Sequence, residues 1–323
     1  MHTLLWEGDI LYPYGLCGLV LYPFRKMSAR GLLTIGSVLV VMIGLAFVKN
    51  GFDRRTMILN GQAAVQAAAE GKKLTPEQEA AKASYENWRK HAQPSAEEIE
   101  KDAKEWRGNP WQVIMVRSAM VNRLNAIAYY APDDWDIWSM MFIGMALMKL
   151  SLLGGERSYR FYATLVAIGY GIGIPLNSYT AWLIIKSNFD APIHEFANST
   201  YDVGRLSIAL GHLGMIMILC KAGAWRWLLS RLGAIGQMAF SNYILQSVIC
   251  SFFFTGYGFA MYGRLQRYQL YYVVAAIWVL QLIVSPIWLR HFRFGPLEWV
   301  WRSLTYWHRQ PMRLAQELRT STY

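Results

Sequence analysis

About seven long apolar stretches constrain this chain more than any other feature of its sequence. A helix needs about 20 mostly apolar residues to cross the hydrocarbon of a bilayer, and the stretches reach or approach that length. The sequence therefore predicts an all-α fold, a polytopic transmembrane helix bundle of about seven spans. In chain order, the predicted spans are 9–24, 31–48, 135–153, 161–185, 203–220, 233–254 and 270–289.

Positive charges recur at every second connection between the spans, and this alternation predicts the topology. Short loops rich in Lys and Arg stay in the cytoplasm, and such clusters begin at Arg25, Arg157, Lys221 and Arg290. The C-terminus is therefore predicted to be cytoplasmic and the long polar segment after Lys49 periplasmic, in a bacterial inner membrane. The formal net charge of +11 lies mostly in these connections and in the tail. We expect the lipid bilayer as a partner and no nucleic acid, because no basic stripe carries stacking aromatics.

Spans and polar segments divide the chain into successive parts. The polar segment carries two helix-start signatures, Thr75-Pro76-Glu77-Gln78 and Ser95-Ala96-Glu97-Glu98, which predict a helical hairpin. It either caps a substrate or partner or is a solvated spacer, which is the commoner use of charged helices. The predicted parts are 1–48 with the first two transmembrane helices, 49–110 as a periplasmic helical insert, 111–130 as an amphipathic interfacial helix, 131–289 as a five-helix transmembrane bundle, and 290–323 as a basic aromatic cytoplasmic tail.

The predicted topology leaves the N-terminus outside the cytoplasm. The charges of Arg25 and Lys26 follow the first apolar stretch, whereas the charges of a cleavable signal precede it. We therefore expect either further helices encoded upstream of Met1 or a first span that inserts as a reverse signal anchor.

Ionisable residues inside a span are natural site candidates, because they are expensive to bury in lipid. Arg205 and His212 lie seven residues apart on one face of the fifth span, with Asp202 one turn further out. Arg205 and His212 are catalytic candidates, and His212 would act as a general base or proton relay. The alternative for His212 is a neutral histidine that bonds a neighbouring helix.

A glycine-rich run with Pro175 interrupts the fourth span. Pro175 leaves the carbonyl of Gly171 without its helical donor, so the sequence predicts a break or kink. Unwound backbone lines substrate sites in transporters, which makes Asn177 and Tyr179 substrate-binding candidates. Glycines also permit close helix packing, and the sequence leaves both alternatives open.

Further substrate-binding candidates are Asn242 and Gln246 in the sixth span, and Asp9 at the start of the first. The two amides share a helix face at i and i+4. They either bond a substrate or join helices as interhelical polar contacts, which is the commoner use. Asp9 is equally well suited to cap the interface or to act as a site acid.

The chain carries no Walker loop, HExxH helix, GxSxG elbow or Cys/His cluster, so we expect no cofactor and no metal. Cys17, Cys220 and Cys250 fall within apolar stretches without metal-type spacing. They are interpreted as small buried hydrophobic residues.

Four runs of residues resemble the YeiB-like bacterial membrane family catalogued as domain of unknown function 418. The runs are 236–247, Gly256-Tyr257-Gly258, 294–302 and Trp6-Glu7-Gly8-Asp9-Ile10-Leu11. The resemblance covers nearly all of the chain except the insert. It implies a fold similar to the integral-membrane acyltransferases and a loosely described role in transport. The resemblance transfers no catalytic residue, because such acyltransferases carry theirs in early helices that would precede Met1.

Three hypotheses about function remain open. The first is an acyltransferase-like protein that acts on an envelope glycan or lipid. The second is a transporter of a small solute, whose polar path would use the Arg205 face. The third is a non-catalytic membrane assembly protein whose insert binds a partner. Enzyme or transporter, substrate and oligomeric state are not determined by the sequence.

Overall fold

The chain folds into helices connected by short loops. The computed structural model describes residues 4–128 and 135–314, and within these ranges it contains no strand, only an isolated bridge between Phe292 and Arg313. The all-α prediction is confirmed. The boundary predicted at 130/131 and the last part of the predicted tail, 315–323, lie outside the described residues. The helices are α1 Leu11–Leu21, α2 Ala29–Ala69, α3 Pro76–Ala92, α4 Ala96–Trp106, α5 Pro110–Ala128, α6 Trp135–Lys149, α7 Tyr159–Lys186, α8 Ala191–Asn198, α9 Tyr201–Ala222, α10 Arg226–Gln237, α11 Ala239–Phe254, α12 Arg267–Leu289 and α13 Pro296–Thr305.

Three of the described helices, α2, α9 and α12, are long and apolar enough to cross a membrane, and α11 is a shorter apolar helix. Large apolar side chains cover their outer surfaces; Trp278 on α12, for example, is 61% exposed. Such a surface suits lipid and not water. The helices at the other predicted spans, α1, α6 and α7, are shorter or carry more polar residues.

The described helices group into two compact units. The first unit comprises Met1–Asp9, Ile99–Arg123 and Gly223–Tyr323. Within it α10 packs on α12, and α13 packs on α11. The N-terminal segment of this unit lies against α5 and α11 through hydrogen bonds described below.

The second unit comprises Ile10–Glu98 and Leu124–Ala222. Its longest element is α2, which has 41 residues and continues well beyond the span predicted to end at Val48. Ser28 caps its start by accepting from the Gly31 amide at 3.2 Å. Along its length α2 packs against α6, α8 and α3.

Helices α7 and α9 of the second unit pack closely through glycines. A Cβ added at Gly169 would lie 2.5 Å from the backbone nitrogen of Gly211, and one at Gly173 would lie 2.7 Å from Ile208. The helix runs without interruption from Tyr159 to Lys186 through Pro175. The break predicted at Pro175 is therefore wrong, whereas the kink stays a prediction, and the glycines permit close packing, which was the alternative interpretation.

The helix-start signatures of the polar segment are confirmed. Thr75 and Gln78 form a reciprocal capping box at the start of α3. At the start of α4, the Ser95 amide donates to Glu98 Oε2 at 2.9 Å, and the Glu98 amide donates to Ser95 Oγ at 3.2 Å. The hydrogen bonds from Ser95 lower the pKa of Glu98, because they favour the ionised carboxylate.

Candidate ligand-binding site

A cavity of about 540 Å³ lies within the first unit. We call it the Arg117 pocket. Its walls come from the N-terminal segment, the end of α4, α5, α11, the connection to α12 and the start of α12. The surface that they expose to the cavity is mostly apolar, although about half of the lining residues carry a polar or reactive group. The polar and reactive groups that line it are Glu7, Arg117, Tyr243, Gln246, Ser247, Cys250, Ser251, Thr255 and Tyr262.

The side chain of Arg117 is only 3% exposed, which is unusual for a charged residue. Its Nε donates to Glu7 Oε2 at 3.1 Å, and its Nη1 donates to the Leu4 carbonyl at 2.7 Å. The guanidinium also lies 5.3 Å from the ring centroid of Trp106 and 5.7 Å from that of Tyr257. Arg117 is thus a buried cation that is partly neutralised by one carboxylate, at the edge of an apolar cavity.

The N-terminal segment is held in the pocket wall by hydrogen bonds to α11. Ser251 Oγ donates to the Leu5 carbonyl, and the Tyr243 hydroxyl donates to Asp9 Oδ1 at 2.8 Å. Asp9 is 5% exposed and does not line the cavity. The structure therefore places this predicted substrate ligand in a contact that fixes the segment.

Aromatic rings form a second wall of the pocket. Trp106 and Tyr262 stack at 5.5 Å with an interplanar angle of 20°. The Gly256 amide donates to the Trp106 carbonyl at 3.0 Å, and a Cβ at Gly256 would lie 1.5 Å from the Gly108 carbonyl oxygen. Only glycine permits this approach, which gives the Gly256-Tyr257-Gly258 run a structural reason.

The electrostatic surroundings of Tyr262 are negative. Burial raises the pKa of the Tyr262 hydroxyl, and the carboxylates of Asp102 and Glu7 raise it further. Burial and the neighbouring Glu105 also raise the pKa of Asp102. Carboxylates near the pocket therefore oppose a second negative charge, except where Arg117 compensates for it.

Asn242 and Gln246 belong to a network of polar groups between α11 and α12. Asn242 Nδ2 donates to Ser285 Oγ at 3.0 Å, and Gln281 Nε2 donates to the Asn242 carbonyl at 3.0 Å. Gln246 Nε2 donates to Gln281 Oε1 at 2.9 Å. Asn242 is buried among these partners, whereas Gln246 also lines the pocket. Interhelical contact accounts for both amides, and only Gln246 is also placed to touch a ligand.

The C-terminal motif meets the start of α11. Glu298 on α13 accepts from the Ser241 amide at 2.9 Å and from the Ser241 hydroxyl at 2.5 Å. The Leu297 amide donates back to Ser241 Oγ at 3.0 Å. A Cβ at Gly295 would contact Glu298 Oε2 and Ser241 Oγ, so a larger residue there would displace these two side chains. Two of the four runs that carry the family resemblance, 236–247 and 294–302, thus contact each other at the start of a helix that lines the pocket.

In the second unit, Arg205 binds two carboxylates. It donates through Nη1 to Asp136 Oδ2 at 3.0 Å and through Nη2 to Asp202 Oδ1 at 2.7 Å, with a further bond to Asp136 Oδ1. Asp202 is 6% exposed. The sequence analysis missed Asp136, although an acidic residue in the first turn of an apolar helix was a usable signal. These three residues form what we call the Arg205 cluster.

His212 does not join the Arg205 cluster. It is exposed on α9, its Nδ1 lies 2.8 Å from the Ile208 carbonyl, and its ring meets Tyr170 edge-on at 5.4 Å. Asn177 Nδ2 donates to the Gly173 carbonyl at 2.8 Å. Tyr179 is 59% exposed and stacks on Trp182. None of these three predicted site residues lines the Arg117 pocket.

No group of three His, Cys, Asp or Glu residues within 4–128 and 135–314 is arranged to hold a metal ion. The three cysteines are not disulfide-bonded to each other. Cys17 is buried, but Cys220 is exposed and Cys250 is half-buried in the pocket wall. The interpretation of all three as buried hydrophobic residues is therefore wrong for Cys220, whose side chain is exposed on α9.

Comparison with known proteins gives the chain a family. Residues 147–308 match the family model described as "Protein of unknown function (DUF418)". The chain is 30% identical over 310 residues to "Uncharacterized protein YxaH" of Bacillus subtilis (strain 168), covering 96% of this chain and 69% of that one. It is 29% identical over 316 residues to "Uncharacterized protein YeiB" of Escherichia coli (strain K12), covering 94% and 72%. No solved structure matches, so the implied similarity to acyltransferase folds stays a prediction. The chain belongs to the DUF418 family.

Proposed function

We propose that this DUF418 membrane protein binds an amphiphilic molecule of the bacterial envelope, a lipid or another acyl-bearing compound, in the Arg117 pocket. The observation that carries the proposal is a mostly apolar cavity of about 540 Å³ with a buried guanidinium in its wall. Ligand pockets of about 300–1,000 Å³ with apolar walls and a few convergent polar groups are typical of small-molecule sites.

The composition of the walls supports an amphiphile over a small polar solute. An acyl chain or other apolar body fits between Phe254, Leu265 and Leu270 without leaving polar groups unpaired. A sugar or amino acid would find several polar side chains of the wall already bonded to protein partners, among them Tyr243, Gln246 and Ser251. Lipid tails are already out of water in a bilayer, so contact with the apolar wall adds little selectivity. Selectivity has to come from the polar end of the pocket.

Acyl transfer onto an envelope glycan or lipid is the reaction that the family resemblance suggests for such a ligand. No described histidine lines the Arg117 pocket. His212 is the histidine to test as the base, with Arg205 two turns before it on the same helix. In proteoliposomes supplied with labelled acyl donor, label transfer that is lost in His212→Ala supports an enzyme. Transfer that persists in this variant removes His212 from the reaction.

The Arg205 cluster favours a second candidate function, transport of a small solute. Ionisable groups on membrane-crossing helices are common on ion and proton paths. Asp136 and Asp202 share one guanidinium, so the cluster carries one negative charge in excess when all three groups are ionised. Solute uptake that depends on Arg205 and proceeds without acylation would favour this candidate.

The setting of the proposal is an inner membrane, with the insert in the periplasm and the C-terminus in the cytoplasm. Under this topology the connection between α11 and α12 is periplasmic, and the pocket lies on that side. Reporter fusions near Gln93 and after Leu314 test it, because only the first should reach the periplasm. Equal reporter activity at both positions would refute the topology.

Cysteine alkylation tests the binding proposal directly. The protein is placed in phosphatidylcholine nanodiscs and treated with N-ethylmaleimide, and mass spectrometry follows each cysteine. A bound amphiphile such as oleate should slow the modification of Cys250 about tenfold or more, because it covers the thiol. Cys220 is exposed outside the pocket and should react at an unchanged rate. Equal rates at Cys250 with and without several amphiphiles would refute the proposal.

A further inference from the structure

We infer that the ligand of the Arg117 pocket carries an oxyanion, a carboxylate or a phosphate monoester, that replaces Glu7 on the Arg117 guanidinium. This inference rests on the proposed binding function and names the chemical class of its ligand. It assigns Arg117 as the residue that recognises the head group and Glu7 as its counter-ion when no ligand is bound.

Arg117 has donors to spare. Its hydrogen bonds to Glu7 and to the Leu4 carbonyl use Nε and Nη1. Within residues 4–128 and 135–314, Nη2 makes no hydrogen bond. A guanidinium presents its donors as a planar fork that matches the two oxygens of a carboxylate or phosphate. A guanidinium that bonds the protein through Nε and Nη1 keeps Nη2 for a ligand.

Glu7 is placed to be displaced. Its side chain is 21% exposed, whereas that of Arg117 is 3% exposed, so the carboxylate has access to solvent that the guanidinium lacks. The N-terminal segment does not depend on Glu7 alone. The Leu5 carbonyl is bonded by Ser251, and Asp9 is bonded by Tyr243. Glu7 can therefore leave Arg117 while the segment stays in the pocket wall.

Aromatic side chains around Arg117 keep water away from the guanidinium. The rings of Trp106 and Tyr257 lie near the guanidinium, and Trp106 is 5% exposed. The Tyr257 hydroxyl is buried and has no hydrogen-bond partner in the described part of the chain. In such a dry site a charge-assisted hydrogen bond is stronger than at a surface. An oxyanion is the group that gains most from a guanidinium in such a site.

The carboxylates near the pocket predict how the site distinguishes an anionic from a neutral amphiphile. Glu7 and Asp102 both raise the pKa of Tyr262, so their carboxylates act on the same part of the pocket. An oxyanion that arrived while Glu7 remained on Arg117 would be repelled. Removing the charge of Glu7 should therefore strengthen the binding of an anionic amphiphile and leave that of a neutral one almost unchanged.

The experiment compares an anionic with a neutral amphiphile of the same chain length. Protection of Cys250 from N-ethylmaleimide is titrated with oleate, oleyl phosphate and monoolein in phosphatidylcholine nanodiscs. We expect the anionic amphiphiles to protect at concentrations at least tenfold lower than monoolein. Arg117→Gln should abolish this preference, and Glu7→Gln should increase it severalfold. Arg107→Gln is the matched control, because Arg107 is a mostly buried cation that pairs with Glu100 and does not line the pocket.

The outcomes separate the inference from the proposal on which it rests. Equal protection by oleate and monoolein refutes the inference that the ligand carries an oxyanion, but it is consistent with the proposed binding of an amphiphile. No protection by any amphiphile refutes the proposed function itself. Inorganic phosphate alone should not protect Cys250 at millimolar concentration, and protection as strong as that by oleyl phosphate would identify a free anion and overturn the inference. If Arg117→Gln fails to fold, Glu7→Gln decides, because unchanged oleate protection in that folded variant contradicts the displacement.

Discussion

Substitution of Gly169 by alanine tests the packing of α7 on α9. The new Cβ would lie 2.5 Å from the Gly211 nitrogen, 2.6 Å from the Ser207 carbonyl oxygen and 2.8 Å from the Gly211 Cα. Ordinary contact begins near 3.4 Å, so the two backbones must move apart by about 0.9 Å at this point. The contacted atoms belong to the backbone of α9, so they cannot relieve the clash by a change of rotamer as a flexible side chain could.

Gly171 provides the matched control in the same helix. A Cβ added there meets nothing within 4 Å. Both substitutions gain the same helix propensity, about 1 kcal/mol for alanine over glycine. The difference between the variants therefore isolates the contact, and overpacking of this kind costs about 1–3 kcal/mol.

Thermal stability in detergent, followed by size-exclusion chromatography after heating, measures this difference. We expect Gly171→Ala to match or exceed the Tm of the wild type. Gly169→Ala should fall below Gly171→Ala by roughly 2–4 °C for each kcal/mol. If the Tm of Gly169→Ala equals that of Gly171→Ala, glycine-mediated packing does not hold these helices together and the argument fails.

Further predictions concern polar contacts. Ser241→Ala removes the hydroxyl bonded to Glu298 and should cost about 1–3 kcal/mol of stability, seen as a lower Tm, whereas an unchanged Tm contradicts the cap. Asp102→Asn should raise the Tm at pH 7, because the folded pKa of Asp102 is raised and its charge opposes folding. This gain should vanish below the pKa of the unfolded state, where Asp102 is protonated in both states; a gain independent of pH would refute it. Arg205→Gln should be less harmful with Asp136→Asn than alone, and a double-mutant cycle should give a coupling of roughly 0.5–3 kcal/mol; zero coupling would contradict the ion pair.

Features that depend on neighbours in the sequence were predictable. The capping box at Thr75 and the Ser95–Glu98 pair involve residues three apart, so the sequence alone identifies them. Apolar length likewise predicted helices where α9 and α12 lie. The interhelical use of Asn242 was also anticipated, because amides in apolar helices most often bond a neighbouring helix.

Features that depend on distant residues were not predictable. Arg117 meets Glu7 across 110 positions, and Arg205 meets Asp136 across 69. No local pattern relates such partners, so the Arg117 pocket could not be derived from spacing. The break predicted at Pro175 was wrong for the same reason. Its helix is held by contacts of Gly169 and Gly173 with α9, and these are visible only in the folded structure.

The contact between Ser241 and Glu298 sets an order of events during synthesis. The start of α11 emerges from the ribosome 57 residues before the carboxylate that caps it. At about 5–20 residues per second, the delay is roughly 3–11 s. The helix therefore enters the membrane with its first turn uncapped. The wall that α11 contributes to the Arg117 pocket is stabilised only after Glu298 has been translated. A nascent chain stalled before Glu298 should be more easily cleaved by protease around α11 than one released after it.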